Sequence, residues 1–169
     1  CGSWQWRDVG GAAFCRYGNL GEGLAVSENN AEKKTPTRPL PKLTELDTGE
    51  FWQATANKEF RYQQCANCGT IVWHPRAHCT GCVNGDLQWQ TSAGKGTIYS
   101  YSVVRLSYHP FFRTKVPYAV AYVDLDEGPR FLTNVTGVDD PLIEVSVGQR
   151  VELAWEEHEE LSIPLVKPV

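Results

Sequence analysis

Apolar and polar positions alternate most persistently from Thr97 to Leu106, where Ile98, Val104 and Leu106 interleave with Thr97, Tyr99, Tyr101, Val103 and Arg105. A period of two places successive side chains on opposite faces, so this run predicts the longest strand of the chain. The same alternation predicts strands at Tyr118 to Asp126, Arg130 to Thr136 and Arg150 to Glu156, and a further strand at Leu87 to Thr91. Asp126-Glu127-Gly128-Pro129 reads as the hairpin turn between two of them. Earlier in the chain the period changes. Asp47 stands three residues before Glu50, the spacing of a helix cap with its reciprocal partner, and Phe51, Trp52 and Ala54 continue a short helix to about Asn57. Phe60 and Tyr62 then alternate with Arg61 and Gln63 on the way to Cys65. Asp139-Asp140-Pro141 has the form of a second short helix start.

Five β segments with one helical insertion suit a small closed or partly closed antiparallel barrel, of which the oligonucleotide/oligosaccharide-binding (OB) barrel is the commonest of this size. The fold class expected is therefore mainly β: an N-terminal helix and a rubredoxin-like ribbon, then a small five-stranded OB-fold barrel. Residues 1–42 read as an irregular extension and linker, 43–90 as helix and ribbon, and 91–169 as the barrel. With 169 residues, 41% of them hydrophobic, the chain can bury a real core. No run approaches the ~20 apolar residues needed to span a bilayer, and no signal peptide pattern appears, so a cytoplasmic protein with no membrane association is expected.

The cysteines add a definite chemistry. Cys65-Ala-Asn-Cys68 and Cys79-Thr-Gly-Cys82 are separated by ten residues, so four of the six cysteines fall within eighteen positions. Two such pairs at the ends of a hairpin can turn four thiolates toward one point, the ligand set of a tetrahedral structural Zn²⁺. Gly69 follows the first pair and Gly81 lies inside the second, where turns often need a positive φ. Iron uses the same ligands, and two disulfides would require an oxidising compartment. Four thiolates leave no open position for water or substrate. His74 and His78, between the pairs, read as polar neighbours.

The first 31 residues carry Trp4, Trp6, Phe14 and Tyr17 with no sustained period, an arm expected to pack on the body or on a partner. Cys1 and Cys15 within it lack companions for a second metal site and read as incidental thiols. Residues 32–42 hold three prolines and four basic residues, the composition of an extended linker.

One loop stands out. Residues 108–117, Tyr-His-Pro-Phe-Phe-Arg-Thr-Lys-Val-Pro, set aromatics and cations between two strands. Such a loop either caps the barrel or holds an apolar chain with a phosphate-bearing tail. The net charge of −4 and the C-terminal cluster Glu152, Glu156, Glu157, Glu159 and Glu160 weigh against single-stranded nucleic acid as the ligand, although Tyr99, Tyr101 and Tyr122 could offer a stacking face. We find no nucleophile elbow, His-Glu-x-x-His or phosphate loop.

In order and spacing, the helix, Arg-Tyr-Gln-Gln-Cys-Ala-Asn-Cys-Gly, Cys-Thr-Gly-Cys, Gly-Lys-Gly-Thr-Ile-Tyr-Ser-Tyr-Ser-Val-Val, Val-Pro-Tyr-Ala-Val-Ala-Tyr-Val-Asp-Leu-Asp-Glu-Gly-Pro-Arg and Leu-Thr-Asn-Val resemble domain-of-unknown-function family 35. The resemblance covers residues 47 to 169. It implies a non-catalytic accessory subunit of a thiolase-type acyl-CoA enzyme, acting in thiolysis (as in β-oxidation), retro-aldol cleavage or acyl transfer. The partner implied is a thiolase-fold catalytic chain in a hetero-tetramer or larger assembly, with the CoA thioester as a shared ligand. A free-standing acyl-CoA-binding module is the alternative. By residue chemistry and loop position, the candidates for CoA contacts are Arg76, Arg105, His109, Phe111, Phe112, Arg113, Lys115, Arg130 and Asn134; the metal candidates are Cys65, Cys68, Cys79 and Cys82.

Overall fold

The computed structural model describes residues 37–169. The aromatic arm, Cys1, Cys15 and the first half of the linker lie outside the described residues. The described chain runs α1 (Gly49–Thr55), β1 (Arg61–Cys65), β2 (Ile71–Val72), β3 (Leu87–Thr91), β4 (Lys95–Val104), α2 (Pro110–Arg113), β5 (Tyr118–Leu125), β6 (Arg130–Asn134), β7 (Arg150–Glu157) and β8 (Ser162–Pro168). Two sheets result: a ribbon ordered β2-β1-β3 and a five-stranded sheet ordered β6-β5-β4-β7-β8. The second curls until its ends meet at a bridge between Val135 and Val166, where the Thr136 N–H donates to the Val166 carbonyl at 2.7 Å. This nearly closed barrel is the OB fold expected from the alternating segments.

Its strand membership differs from expectation. Leu87–Thr91 pairs with β1 in register Arg61↔Thr91 to Cys65↔Leu87 and belongs to the ribbon. The fifth barrel strand is β8, which carries Pro164 and Pro168 and has five consecutive buried residues from Ser162 to Val166. A strand buried on both faces shows no alternation, and an edge position tolerates proline because the ring needs no ladder donor there. The buried Thr133 hydroxyl donates to the Pro164 carbonyl at 2.6 Å.

Two helix expectations are also corrected. Thr48, not Asp47, is the N-cap of α1, and no side chain caps it, because the Thr48 hydroxyl donates instead to Glu45 at 2.9 Å; the helix ends at Thr55. After Asp139-Asp140-Pro141 there is a single turn: the Asp140 carbonyl accepts from the Ile143 and Glu144 N–H groups, and the Asp140 side chain accepts from the Leu142 N–H. The second helix is the one-turn α2, inside the aromatic loop, capped by the His109 ring accepting from the Phe111 N–H at 3.3 Å.

Ribbon and barrel share one core. Phe51 of α1, Phe60 before β1 and Phe131 of β6 pack with Ile98, Ala121, Val123 and Val151 of the barrel, and half-buried Trp73 from the ribbon joins them. Phe60 has its ring centroid 5.3 Å from Phe51, 4.8 Å from Trp73 and 4.8 Å from Phe131. This aromatic burial joins the ribbon to the barrel.

On the outer surface, Asp124 accepts from Arg130 at 2.5 and 2.8 Å, and Asp126 from Arg150 at 2.7 Å. Hydrogen bonds from these guanidiniums hold both carboxyls below their ordinary range. A depressed folded value stabilises the fold above the unfolded pKa of about 3.9 and is lost as pH falls through the folded one. The stability these two pairs contribute should therefore be constant across neutral pH and be lost below about pH 4. The double variant Asp124→Asn with Asp126→Asn should lose less on acidification; an identical acid slope would show that these pairs contribute nothing.

Candidate metal centre and barrel-mouth pocket

β1 delivers Cys65 to the end of the ribbon, and the following turn folds back on it: the Gly69 N–H donates to the Cys65 carbonyl at 2.8 Å, and Gly69 has φ 73°. The second knuckle repeats the geometry. Val83 donates to the Cys79 carbonyl at 3.0 Å and takes φ 61°. The left-handed position is thus Val83, not Gly81 as expected. A β-branched residue there stores strain of order 1–3 kcal/mol, which persists only because the surrounding turn enforces it. At Gly81 a Cβ would lie 2.8 Å from the Thr70 hydroxyl, so a larger residue there would push that side chain off its place beside Cys68.

The four sulfurs converge within 4.8 Å of one another, with Cys65 to Cys82 and Cys68 to Cys79 both at 3.6 Å. Four thiolates around one Zn²⁺ at about 2.3 Å stand about 3.8 Å apart, and a disulfide needs about 2 Å, so the donor set fits a tetrahedral metal. Cys65 and Cys79 are buried, while Cys68 and Cys82 face outward. The Thr70 hydroxyl, 3.1 Å from the Cys68 sulfur, draws that thiol down to about 6, and the Cys82 and Gly81 backbone N–H groups lower Cys79. For Cys65 the backbone N–H of Cys68 pulls downward, yet burial and the adjoining sulfurs leave it at about 11. N–H groups aimed at sulfur favour thiolates, the protonation state that metal ligation needs. Bound here, a metal would supply a fixed cross-link between the two knuckles.

The nine candidates for CoA contacts do not form one site. Phe112, Lys115 and Asn134 come together at the barrel mouth around a cavity of about 210 Å³ that Arg38 and Glu156 also line. Arg38 donates to Glu156 at 2.6 Å, its guanidinium 5.4 Å from the Phe112 ring, and Lys115 lies 3.9 Å from Glu156 and 4.2 Å from the Phe111 ring. Phe111 borders an adjoining groove with Leu40, Pro41 and His158. Arg113 is turned inward on its own loop, donating to the Ser107 and Tyr108 carbonyls at 3.5 and 3.2 Å. His109 caps α2, and Arg105 is exposed just past the end of β4. Arg130 lies on the barrel's outer face, bound to Asp124 and stacked 3.4 Å from Tyr99. Arg76 borders a separate polar cleft beside α1 with Glu50 and Gln63. Arg38 and Glu156 escaped sequence reasoning; the basic linker and the acidic C-terminal cluster were each visible, but not their meeting.

Residues 52–88 match the family model described as the ChsH2 rubredoxin-like zinc ribbon domain, and residues 89–156 that of the ChsH2 C-terminal OB-fold domain. The chain is 35% identical over 145 residues to a probable enoyl-CoA hydratase alpha subunit of Thermomonospora curvata, a match covering 84% of this chain and 43% of that protein. The chain thus spans less than half the length of that relative. It is 34% identical over 93 residues to a DUF35 domain-containing scaffold protein of Methanothermobacter thermautotrophicus, covering 54% of this chain and 68% of that protein. Among solved structures it resembles the Ltp2-ChsH2(DUF35) aldolase, with a TM-score of 0.67 and 33% identity over 78% of this chain and 98% of that one. Among the described residues, no helix is long and apolar enough to cross a membrane. The ribbon, the barrel and these relatives together place the chain in the DUF35 family of zinc-ribbon and OB-fold proteins.

Proposed function

We propose that the chain is an accessory subunit of an acyl-CoA enzyme complex, docking on a thiolase-fold catalytic chain and helping to line the path of the CoA thioester. The similarity to the DUF35 chain of the Ltp2-ChsH2 aldolase, across 98% of that chain, carries this reading. The hydratase alpha subunit of Thermomonospora curvata points to the same substrate class. In this reading residues 43–90 act as the ribbon unit and 91–169 as the barrel unit. Zn²⁺ on Cys65, Cys68, Cys79 and Cys82 serves structure alone, and the assembly is cytoplasmic.

The test is reconstitution. The full chain, co-expressed with the thiolase-fold chain of its own genome neighbourhood, should yield a stable hetero-oligomer whose acyl-CoA turnover falls when this subunit is omitted. Full turnover by the catalytic chain alone, with no complex, would refute the proposal; tight CoA binding by the isolated chain would instead favour a free-standing module. Within the complex, Lys115→Ala should raise the apparent KM for the CoA thioester about three- to tenfold with little change in kcat, the signature of a lost ground-state ion contact. Arg130→Ala should leave KM unchanged, since that guanidinium is committed to Asp124. Equal effects from both variants would show that the barrel mouth is not the contact.

A further inference from the structure

β4 is longer than the strands that pair with it on one side. Along its first edge it matches β5 from Gly96↔Leu125 to Val104↔Tyr118, with an irregularity between Ile98 and Ser100. Along its second edge it meets β7 only at Lys95, Gly96 and Thr97. The Ile98 N–H donates to the Gln149 carbonyl and the Gly148 N–H to the Ile98 carbonyl, and there the second edge stops.

The direction of the remaining amides follows from β5. Ala119 accepts from Val135 and Leu125 donates to Pro129, so the odd-numbered residues of β5 turn their polar groups toward β6. Tyr118, Val120 and Tyr122 therefore serve β4, through Val104, Ser102 and Ser100. The N–H and C=O groups of Tyr101 and Val103 are left pointing outward, and no described residue pairs with them. Tyr101 is exposed, as are Leu106 and Tyr108 beyond the strand end and Val147 on the turn where pairing stops. A free, apolar-flanked strand edge of this kind is a template for an added strand.

Charge indicates what the added strand carries. Between Thr97 and Asp124 the chain has no acidic residue but contains Arg105, Arg113, Lys115 and His109, in a protein whose net charge is −4. Arg105 is exposed immediately past the open edge.

We propose that the second edge of β4, Tyr101 to Arg105, receives an extended segment of the catalytic partner that alternates apolar with acidic residues. The segment extends the sheet by main-chain hydrogen bonds to Tyr101 and Val103 and sets a carboxylate against Arg105. This inference rests on the accessory-subunit reading above.

Hydrogen–deuterium exchange of the full chain, alone and in the reconstituted complex with the thiolase-fold chain, tests it. The Tyr101 and Val103 amides should exchange freely in the isolated protein and at least about tenfold more slowly in the complex. Val103→Pro deletes an outward donor that the barrel does not use, so the variant should melt like the parent yet bind the partner about tenfold or more weakly; Arg105→Glu should weaken binding in the same direction. A complex that forms while these amides stay unprotected overturns the edge assignment and leaves the accessory role standing. No complex at all overturns both. Protection already present in the isolated protein, abolished by dilution, would replace the partner segment with a second copy of this chain.

Discussion

Cys65→Ser is expected to abolish stoichiometric metal binding and to melt the ribbon while the barrel stays folded. The ribbon's own buried cluster is Cys65, Val72 and Cys79, with half-buried Leu87 packed against it. Two of the three buried members are ligands, so apolar burial there is far too small to order some thirty residues against their conformational entropy. Apparent binding free energies of about 10–16 kcal/mol for structural zinc in small peptides indicate what a four-thiolate site contributes, as much as the whole stability of an ordinary domain. The barrel, by contrast, keeps Ile98, Ala119, Ala121, Val123, Val151 and Val166, all nearly fully buried and none dependent on a metal. Chelation should reproduce the substitution: amides of residues 61–91 lose protection from exchange and those of β5 and β8 keep it; under the accessory-subunit proposal, assembly with the catalytic partner weakens with the chemical step itself untouched. Cys68→Ser should have a milder effect, because that sulfur faces outward and its serine stays solvated. An unchanged metal content and exchange pattern in Cys65→Ser would show that the ribbon is held by packing alone.

The contrast between the two units explains what could be read from residues alone. Strands with one solvated face wrote their burial into the sequence as alternation, and β4, β5, β6 and β7 were legible for that reason. β8 was hidden because Ile163, Leu165 and Val166 are buried and Pro164 interrupts the run; its pairing with β7 and the bridge from Val135 to Val166 show why the segment is needed. The cysteine spacing revealed the metal set because ligand geometry constrains sequence tightly over short distances. Which knuckle residue turns left-handed was less visible, because valine gives no signal of a positive φ that its neighbours impose. The barrel-mouth cluster was the least legible part. Arg38 and Glu156 are 118 residues apart, and an ion pair over that separation leaves no local pattern. The candidate cations lie apart for the same reason: Arg130 and Arg113 have nearby acceptors that engage them, and no local pattern says which cation folds beside a cavity.

Phe60→Ala should cost about 3–5 kcal/mol, the range for deleting a buried phenyl ring without full collapse of the cavity. Phe60 is 1% exposed, and the rings around it come from different units: Phe51 from α1, Trp73 from the ribbon hairpin and Phe131 from β6. Its removal therefore strips the edge-to-face and tilted contacts that join the ribbon to the barrel, each worth about 0.5–1.5 kcal/mol beyond area burial. A second effect separates this variant from a generic core lesion. The metal knuckles lie at the far end of β1, where the buried cluster is Cys65, Val72 and Cys79, so the ribbon should retain its metal while its attachment loosens. Denaturant unfolding should then change from one cooperative step to two, with metal release following the loss of barrel signal and not accompanying it. Under the accessory-subunit proposal, binding to the catalytic partner should fall as well wherever its contacts reach both ribbon and barrel. A single transition with a loss under about 1 kcal/mol would mean that the linkage is carried elsewhere, and another candidate is the packing of Trp52 of α1 against the cluster of Leu161, Ile163 and Leu165 at β8.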